Sequence, residues 1–475
     1  MSVVRNIARK TTLLIVGEII SKALLFFIGI AAARMLGTAG FGHYSFALAL
    51  PLLFYAFTDM GLAVLAAREI ARNREELPSL FWNVCLVKFI FSFLVLAVII
   101  GVMSYSHYPL EIVYAVVLAS IYCILDSYSW FFRNILVTVD LAGIESVSMV
   151  IEKLIISGMG IVFLLQGKSF LYLLIAYVVA GLVRALINSS TILWFFHPPV
   201  AFSKAIMWSM LHKGFPLFLF YFFGLFYVKI DVTLLSYLRG DADVGIYSAA
   251  STIVALFAIL PSVYALVILP IFSQHESAEK AKKAYMLSTK FLLATGIILA
   301  AMVIVLSKTI LSVVYGAAYA MAALVLSVLG IKLFFQYLTY LTSLALIAMN
   351  KEYKLIRGLV MVGILTLVLD WFLIASTGML GAAMVAGLVE LLFYFYSARM
   401  LANDGYPHHF FPLLKIPLLA SIATALLIYL LQSHVPLIIL IPLAIMFYSC
   451  GIFFSKYFNS EIPFFKELAI HRFFR

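Results

Sequence analysis

Fourteen largely apolar stretches recur along this 475-residue chain, and nothing else in it restricts the fold as severely. They run over 12–33, 43–65, 81–104, 112–131, 144–166, 169–195, 214–237, 245–272, 287–307, 320–347, 358–376, 380–398, 416–432 and 436–455. Crossing ~30 Å of hydrocarbon takes a helix of about 20 such residues. The chain is 65% hydrophobic and 11% charged, against about 45–50% and about 25% in soluble domains. It cannot cover itself with a polar surface, which excludes a water-soluble enzyme. The expectation is an all-α integral membrane protein with 14 transmembrane helices. Arg5, Arg9 and Lys10 precede the first stretch as they would a signal peptide. That stretch is longer than the about 7–15 residues of a signal core and contains Glu18 and Lys22, so it reads as a retained helix. Cys85, Cys123 and Cys450 lie in apolar runs and do not suggest a disulfide framework.

The net charge of +11 would suggest nucleic acid on a soluble domain. Its distribution gives another meaning. With the N-terminus inside, the inner segments and helix ends hold 22 of the 32 basic residues, whereas the outer loops hold Arg34, Lys168, Arg239 and Lys308. This asymmetry is the positive-inside pattern, and it places both termini in the cytoplasm. The short loops leave no room for a soluble catalytic domain. Gly167-Lys168-Ser169 lacks the earlier glycine of a phosphate-binding loop, because Val162 occupies that position. The nine histidines show no metal-ligand spacing, and His408-His409 reads as a solvated loop pair.

A shift of 203 residues aligns the sequence with itself. Gly37, Ala39, Gly42, Tyr44, Ser45, Ala47, Leu53 and Phe54 meet identical residues at 240, 242, 245, 247, 248, 250, 256 and 257. The shift spans six stretches, an even number, so the copies share one orientation and form a parallel repeat. This predicts an N-lobe over 1–195, a cytoplasmic linker over 196–213 and a C-lobe over 214–398. The remaining 399–475 holds two additional helices and a cytoplasmic tail. Gly42 and Gly245 read as sites of close backbone packing, and Tyr44 and Tyr247 as members of an interfacial aromatic belt.

Ionisable residues inside the spans carry the functional information, since each costs about 2.5–3.5 kcal/mol at a helix centre if it faces lipid. Lys22, Arg184, Lys332, Asp370 and Glu390 fall near mid-span. Glu18 and Lys22 have the i, i+4 spacing of a helical ion pair. Lys229 and Asp231 are two residues apart and cannot pair on one helix. Under the repeat shift Lys229 falls one turn from Lys22, which places a lysine on the first helix of each lobe. Lys22, Arg184, Lys229 and Lys332 are therefore candidates for binding an anionic substrate. Glu18, Asp231, Asp370 and Glu390 are candidates for coupling or charge pairing. Tyr128, Trp130, Tyr337 and Tyr340 combine ring faces with polar tips and are candidates for stacking on sugars.

The segments Arg34-Met35-Leu36-Gly37, Phe41-Gly42-His43-Tyr44-Ser45, Asp59-Met60-Gly61-Leu62 and Arg68-Glu69-Ile70-Ala71 resemble the opening of polysaccharide-biosynthesis flippases. These are the Wzx-type translocases of the multidrug/oligosaccharidyl-lipid/polysaccharide (MOP) superfamily. In the second half Asp231, Val244-Gly245-Ile246-Tyr247-Ser248-Ala249-Ala250, Leu269-Pro270 and Tyr315-Gly316 continue the likeness. The resemblance implies alternating access and movement of a polyprenyl-diphosphate-linked oligosaccharide from the cytoplasmic to the outer leaflet. It further implies an inner-membrane monomer with no resident cofactor, compatible with coupling to H+ or Na+. Polysaccharide polymerase and chain-length proteins are implied as partners, and nucleic acid is not. A cation-coupled multidrug exporter of the same superfamily is the alternative, and a membrane-embedded glycosyltransferase or polymerase a more distant one.

Overall fold

The computed structural model describes residues 2–272, 278–406, 410–432 and 434–458, so His408, His409 and the tail beyond Phe458 lie outside it. The described residues form helices and turns without a strand. In hydrocarbon every backbone N–H and C=O needs a partner, and a helix supplies these within one segment. The first helix, α1 (Ser2–Asp59), has 58 residues, about 87 Å at 1.5 Å per residue. That is far too long for one crossing. It turns at Gly37 (φ 71°, ψ −178°), a backbone conformation open essentially to glycine. The loop expected between the first two stretches is thus a sharp kink joining two helical limbs. Thirteen helical stretches among the described residues are long and apolar enough to cross a membrane, and the first, Leu14–Arg72, contains this kink.

Next come α2 (Leu62–Arg72), α3 (Leu77–Ser104), α4 (Leu110–Thr138), α5 (Ala142–Leu165), α6 (Phe170–Phe196) and α7 (Lys204–Arg239). The connection ahead of α7 is fastened to α3. Trp82 donates to the carbonyl of Pro198 at 3.0 Å, while Asn83 donates to Ala201 O and accepts from Ser203 N at 3.0 and 2.7 Å. Phe89, Phe93 and Leu94 of α3 are 64%, 65% and 51% exposed, an apolar surface suited to lipid.

The second half contains α8 (Asp241–Phe257), α9 (Ile259–Phe272), α10 (Ala278–Val305), α11 (Ser307–Val314) and α12 (Ala323–Ala348). It ends with α13 (Glu352–Thr377), α14 (Met379–Ala402), α15 (Phe410–Leu431) and α16 (Leu437–Phe454). Two compact units emerge from the packing, Met1–Ala249 with Leu359–Ala382, and Ala250–Gly358 with Ala383–Arg475. In the first, Leu62, Leu77, Phe131, Ile135 and Met210 share one core. In the second, the last two helices join α10, α12 and α14 around Leu293, Leu338, Tyr394, Ile428 and Ala444.

One apolar stretch, 245–272, is interrupted between α8 and α9. Pro261 has no N–H with which to bond the carbonyl four residues back, that of Phe257. The Tyr337 hydroxyl donates to that carbonyl at 2.7 Å, which accounts for a tyrosine that is 0% exposed. Tyr337→Phe strands the carbonyl and is expected to cost about 1–3 kcal/mol. Thermal unfolding of the detergent-purified protein measures the loss.

Just beyond α14, Asp404 accepts from Lys351 at 2.7 Å and Lys354 at 2.8 Å. Burial pushes its carboxyl upward, but hydrogen bonds and charge from the two lysines outweigh burial and hold it below the ordinary range. The arrangement therefore contributes stability above the ordinary carboxylate range and loses it as pH falls through the depressed value. Asp404→Asn is expected to cost about 1 kcal/mol at pH 7. The gap between wild type and variant should narrow below about pH 4 in unfolding scans.

Candidate functional site

Five ionisable side chains meet within the first unit. Glu145 and Glu152 lie seven residues apart on α5, two helical turns along one face, with Lys153 beside them. Asp126 and Tyr122 are one turn apart on α4, and Arg184 and Asn188 one turn apart on α6. Arg184 stands at the centre, its side chain 6% exposed. Nη2 donates to Glu145 at 2.7 Å, and Nη1 to Glu152 at 2.9 Å and to Asp126 at 3.3 Å. Lys153 pairs with the other oxygen of Glu152 at 2.8 Å, and Tyr122 donates to that same oxygen at 3.0 Å. Asn188 donates to Glu145 at 2.7 Å, and Tyr55 of α1 to Asp126 at 3.2 Å. A separate buried pair joins Lys88 and Asp59 at 2.6 Å, with Ser127 accepting a second bond from the lysine.

The other candidates from the sequence are dispersed. The i, i+4 pair forms, with Lys22 at 3.3 Å from Glu18 and their side chains 39% and 40% exposed. Lys229 and Lys332 are half-buried, and Asp370 is buried. Asp231 is buried and accepts from Tyr247. Glu390 is 1% exposed, and the Thr339 hydroxyl on the neighbouring helix α12 donates to the Phe335 carbonyl at 3.1 Å. Tyr128 donates to the carbonyl of Cys85 at 3.0 Å, and the Arg133 guanidinium lies 5.3 Å from the Trp130 ring centre. Tyr340 is 40% exposed. Sequence reasoning assigned no partners to Asp126, Glu145, Glu152 and Lys153, and those residues complete the cluster around Arg184. The spacing of Glu145 and Glu152 on one helix face was the signal available for it.

The repeated segment makes contact with itself. Gly240 (φ 93°, ψ 173°) precedes α8 in nearly the conformation that Gly37 adopts in α1. Five residues on, in each copy, a glycine packs on the other copy's backbone. A Cβ on Gly42 would lie 1.6 Å from the carbonyl oxygen of Asp241, and one on Gly245 would lie 1.9 Å from that of Thr38. Under the 203-residue shift Thr38 corresponds to Asp241, so the two contacts are reciprocal. His43 lies 3.1 Å from Asp241, which also accepts from Ser236, itself 2.8 Å from the Tyr108 hydroxyl. The tyrosines that follow are not an interfacial belt. Tyr44 and Tyr247 are 7% and 1% exposed. Tyr44 shares a hydrogen bond with Tyr177 at 2.7 Å, and Tyr247 donates to Asp231. Polar partners inside the bundle draw both rings inward.

The family model described as polysaccharide biosynthesis protein matches residues 7–276. The chain belongs to this family. The match runs from α1 to the end of α9 and takes in both the Arg184 cluster and the two repeated turns. Among solved structures, a lipid II flippase (MurJ, inward closed conformation) shares the fold with a TM-score of 0.77 at 16% identity, covering 94% of this chain and 99% of its own. An inward-facing multidrug-resistance MATE transporter of the MOP superfamily gives 0.65 at 15% identity, covering 81% and 95%. A MOP superfamily transporter from Pyrococcus furiosus gives 0.57 at 14% identity, covering 83% and 95%. A search of curated protein sequences gave no match.

The reciprocal glycines supply a direct test of the close approach. Gly42→Ala sets a methyl group against backbone that cannot move aside, and is expected to cost at least about 3 kcal/mol. Gly29→Ala, whose Cβ meets nothing within 4 Å, should gain about 0.5–1 kcal/mol as an ordinary helix substitution. Thermal unfolding of the two purified variants beside wild type separates these outcomes.

Proposed function

We propose that this protein is an alternating-access flippase that moves a polyprenyl-diphosphate-linked oligosaccharide from the cytoplasmic to the outer leaflet. The family match over residues 7–276 carries the reading, and a fold shared with a lipid II flippase over 94% of the chain supports it. The protein transports its cargo without chemical change and is not an enzyme. In this reading residues 1–195 and 214–398 are two parallel six-helix lobes, 196–213 links them on the cytoplasmic side, and two further helices follow. The reciprocal packing of Gly42 and Gly245 supports a pseudo-twofold relation between the two copies of the turn. Both termini lie in the cytoplasm, in keeping with the distribution of Lys and Arg.

The lipid tail remains in hydrocarbon throughout, so the protein has to solve the transfer of the diphosphate and sugars. A diphosphate entering a low-dielectric space needs cationic hydrogen-bond donors. Lys22 and Lys229 supply them on the first helix of each lobe, with Lys332 as a third. Arg184 contributes by setting the charge of the ion cluster. The exposed face of Tyr340 and the half-buried Trp130 are the better placed of the aromatic candidates to meet a sugar ring.

Deleting the gene and extracting lipid-linked sugars tests the reading. Accumulation of the glycolipid on the cytoplasmic leaflet is the expected result. Unchanged glycolipids with altered drug sensitivity would instead assign the chain to the multidrug exporters. A charge-assisted hydrogen bond is worth about 1.5–3 kcal/mol. On that scale the combined Lys22→Ala and Lys229→Ala variant should lose about tenfold or more in surface polysaccharide restored, at normal membrane abundance. Full restoration would remove the two lysines from the site.

A further inference from the structure

Arg133 is a cation near the end of α4 that the fold leaves without an acid. Asp126 shares its helix face two turns earlier, and Asp140 follows seven residues later in the turn that ends the helix. Both acids are engaged elsewhere. Asp126 accepts from Arg184 and Tyr55, and Asp140 pairs with Arg74 at 2.9 Å. Among the described residues no hydrogen bond or ion pair involves the Arg133 side chain. Its guanidinium lies 5.3 Å from the ring centre of Trp130, one turn earlier. Trp130 packs against the core around Leu62 and Phe131, which holds that ring in place.

We propose that Arg133, seated on Trp130, receives the phosphate or diphosphate of a lipid at the inner end of α4, a proposal that rests on the transport reading for the identity of that lipid. A ring face replaces part of the water around a guanidinium. It leaves the planar edge free, and the N–H donors of that edge match two oxygens of a phosphate. Other arginines of the inner segments show the contrast. Arg72 and Arg74 have side chains 77% and 64% exposed, and each pairs with an acid. Arg133 is half-buried and has only the ring. A cation that served the positive-inside pattern alone would need neither the platform nor the partial burial.

Depth and surroundings favour a lipid over a soluble anion. Arg133 stands five residues before the end of α4, about 8 Å of rise, which is headgroup depth and not mid-bilayer. In the topology proposed above this end faces the cytoplasm, where the lipid-linked sugar enters. Its phosphate meets Arg133 without leaving the headgroup layer, whereas Lys22 falls near mid-span. One turn beyond Arg133 on the same face, Val137 is 37% exposed. An apolar side chain beside an unpaired cation suits an amphipathic ligand. The assignment makes Arg133 a selectivity residue, one that admits phosphorylated lipids and gives neutral ones no advantage.

Tryptophan fluorescence of the full-length protein in detergent, titrated with geranylgeranyl diphosphate, tests the site through Trp130 itself. The expected result is a saturable change that is absent in Trp130→Phe. In Arg133→Gln the titration should move to at least about tenfold higher concentration, the scale of one charge-assisted hydrogen bond. Arg133→Lys keeps the charge without the planar edge and should fall between, and it carries the test if the glutamine variant fails to accumulate. Identical titrations of wild type and both Arg133 variants overturn the proposal. An equal response to geranylgeraniol, or equal competition by inorganic diphosphate or phosphatidylglycerol, overturns it as well. Nothing is transported in this measurement, so a negative glycolipid assay leaves its outcome standing, and lost binding leaves the glycolipid assay untouched.

Discussion

Charge inside a low-dielectric bundle has to be neutralised where it stands, and the first unit is organised around that requirement. Arg184 cannot give up its proton in any ordinary setting, so α5 and α4 must bring carboxylates to it. Glu145 and Glu152 on one face of α5, and Asp126 on α4, do this by placing their side chains at the meeting of three helices. Losing the guanidinium would leave two fully buried carboxylates, a change of about 3–5 kcal/mol for a broken buried pair. The cluster ties α4, α5 and α6 to one another, and Tyr55 extends it to α1. These helices can therefore move as a group more easily than they can separate.

The close approach of α1 and α8 adds a constraint of a different kind. Backbone against backbone leaves no side chain to adjust, so the crossing at Gly42 and Gly245 has little tolerance. Gly37 and Gly240 make it possible by turning the chain in matching ways before each crossing. Around the bare contact stands a polar chain of His43, Asp241, Ser236 and Tyr108. It is a junction with little room for gradual adjustment, since packed backbone deforms poorly.

Periodicity along one helix was readable from the sequence, and convergence of several helices was not. The apolar stretches, the glycine repeat and the Glu18–Lys22 pair are all local patterns, and each has its counterpart in the structure. Arg184 read as a candidate for binding an anionic substrate, with no partner assigned, because its three partners lie 32 to 58 residues away on other helices. Tyr44 and Tyr247 read as interfacial rings because amphipathic side chains near a span end usually are, but Tyr177 and Asp231 gave their hydroxyls a buried partner. Tyr337 read as a sugar platform, yet its hydroxyl completes the backbone that Pro261 interrupts. In each case a polar tip was visible and its partner was not.

At 16% identity the fold shared with a lipid II flippase is preserved by apolar packing that many sequences can supply. Such packing does not determine what crosses the membrane or what drives the cycle. Those properties depend on the few ionisable residues that the bundle retains despite their cost. In the proposed reading, Lys22, partly exposed beside Glu18, exchanges its carboxylate partner for a phosphate. Arg184 has no such freedom, since leaving Glu145 and Glu152 would strand both. In the proposed reading, substrate binding and cluster integrity fall to different cations of the same unit.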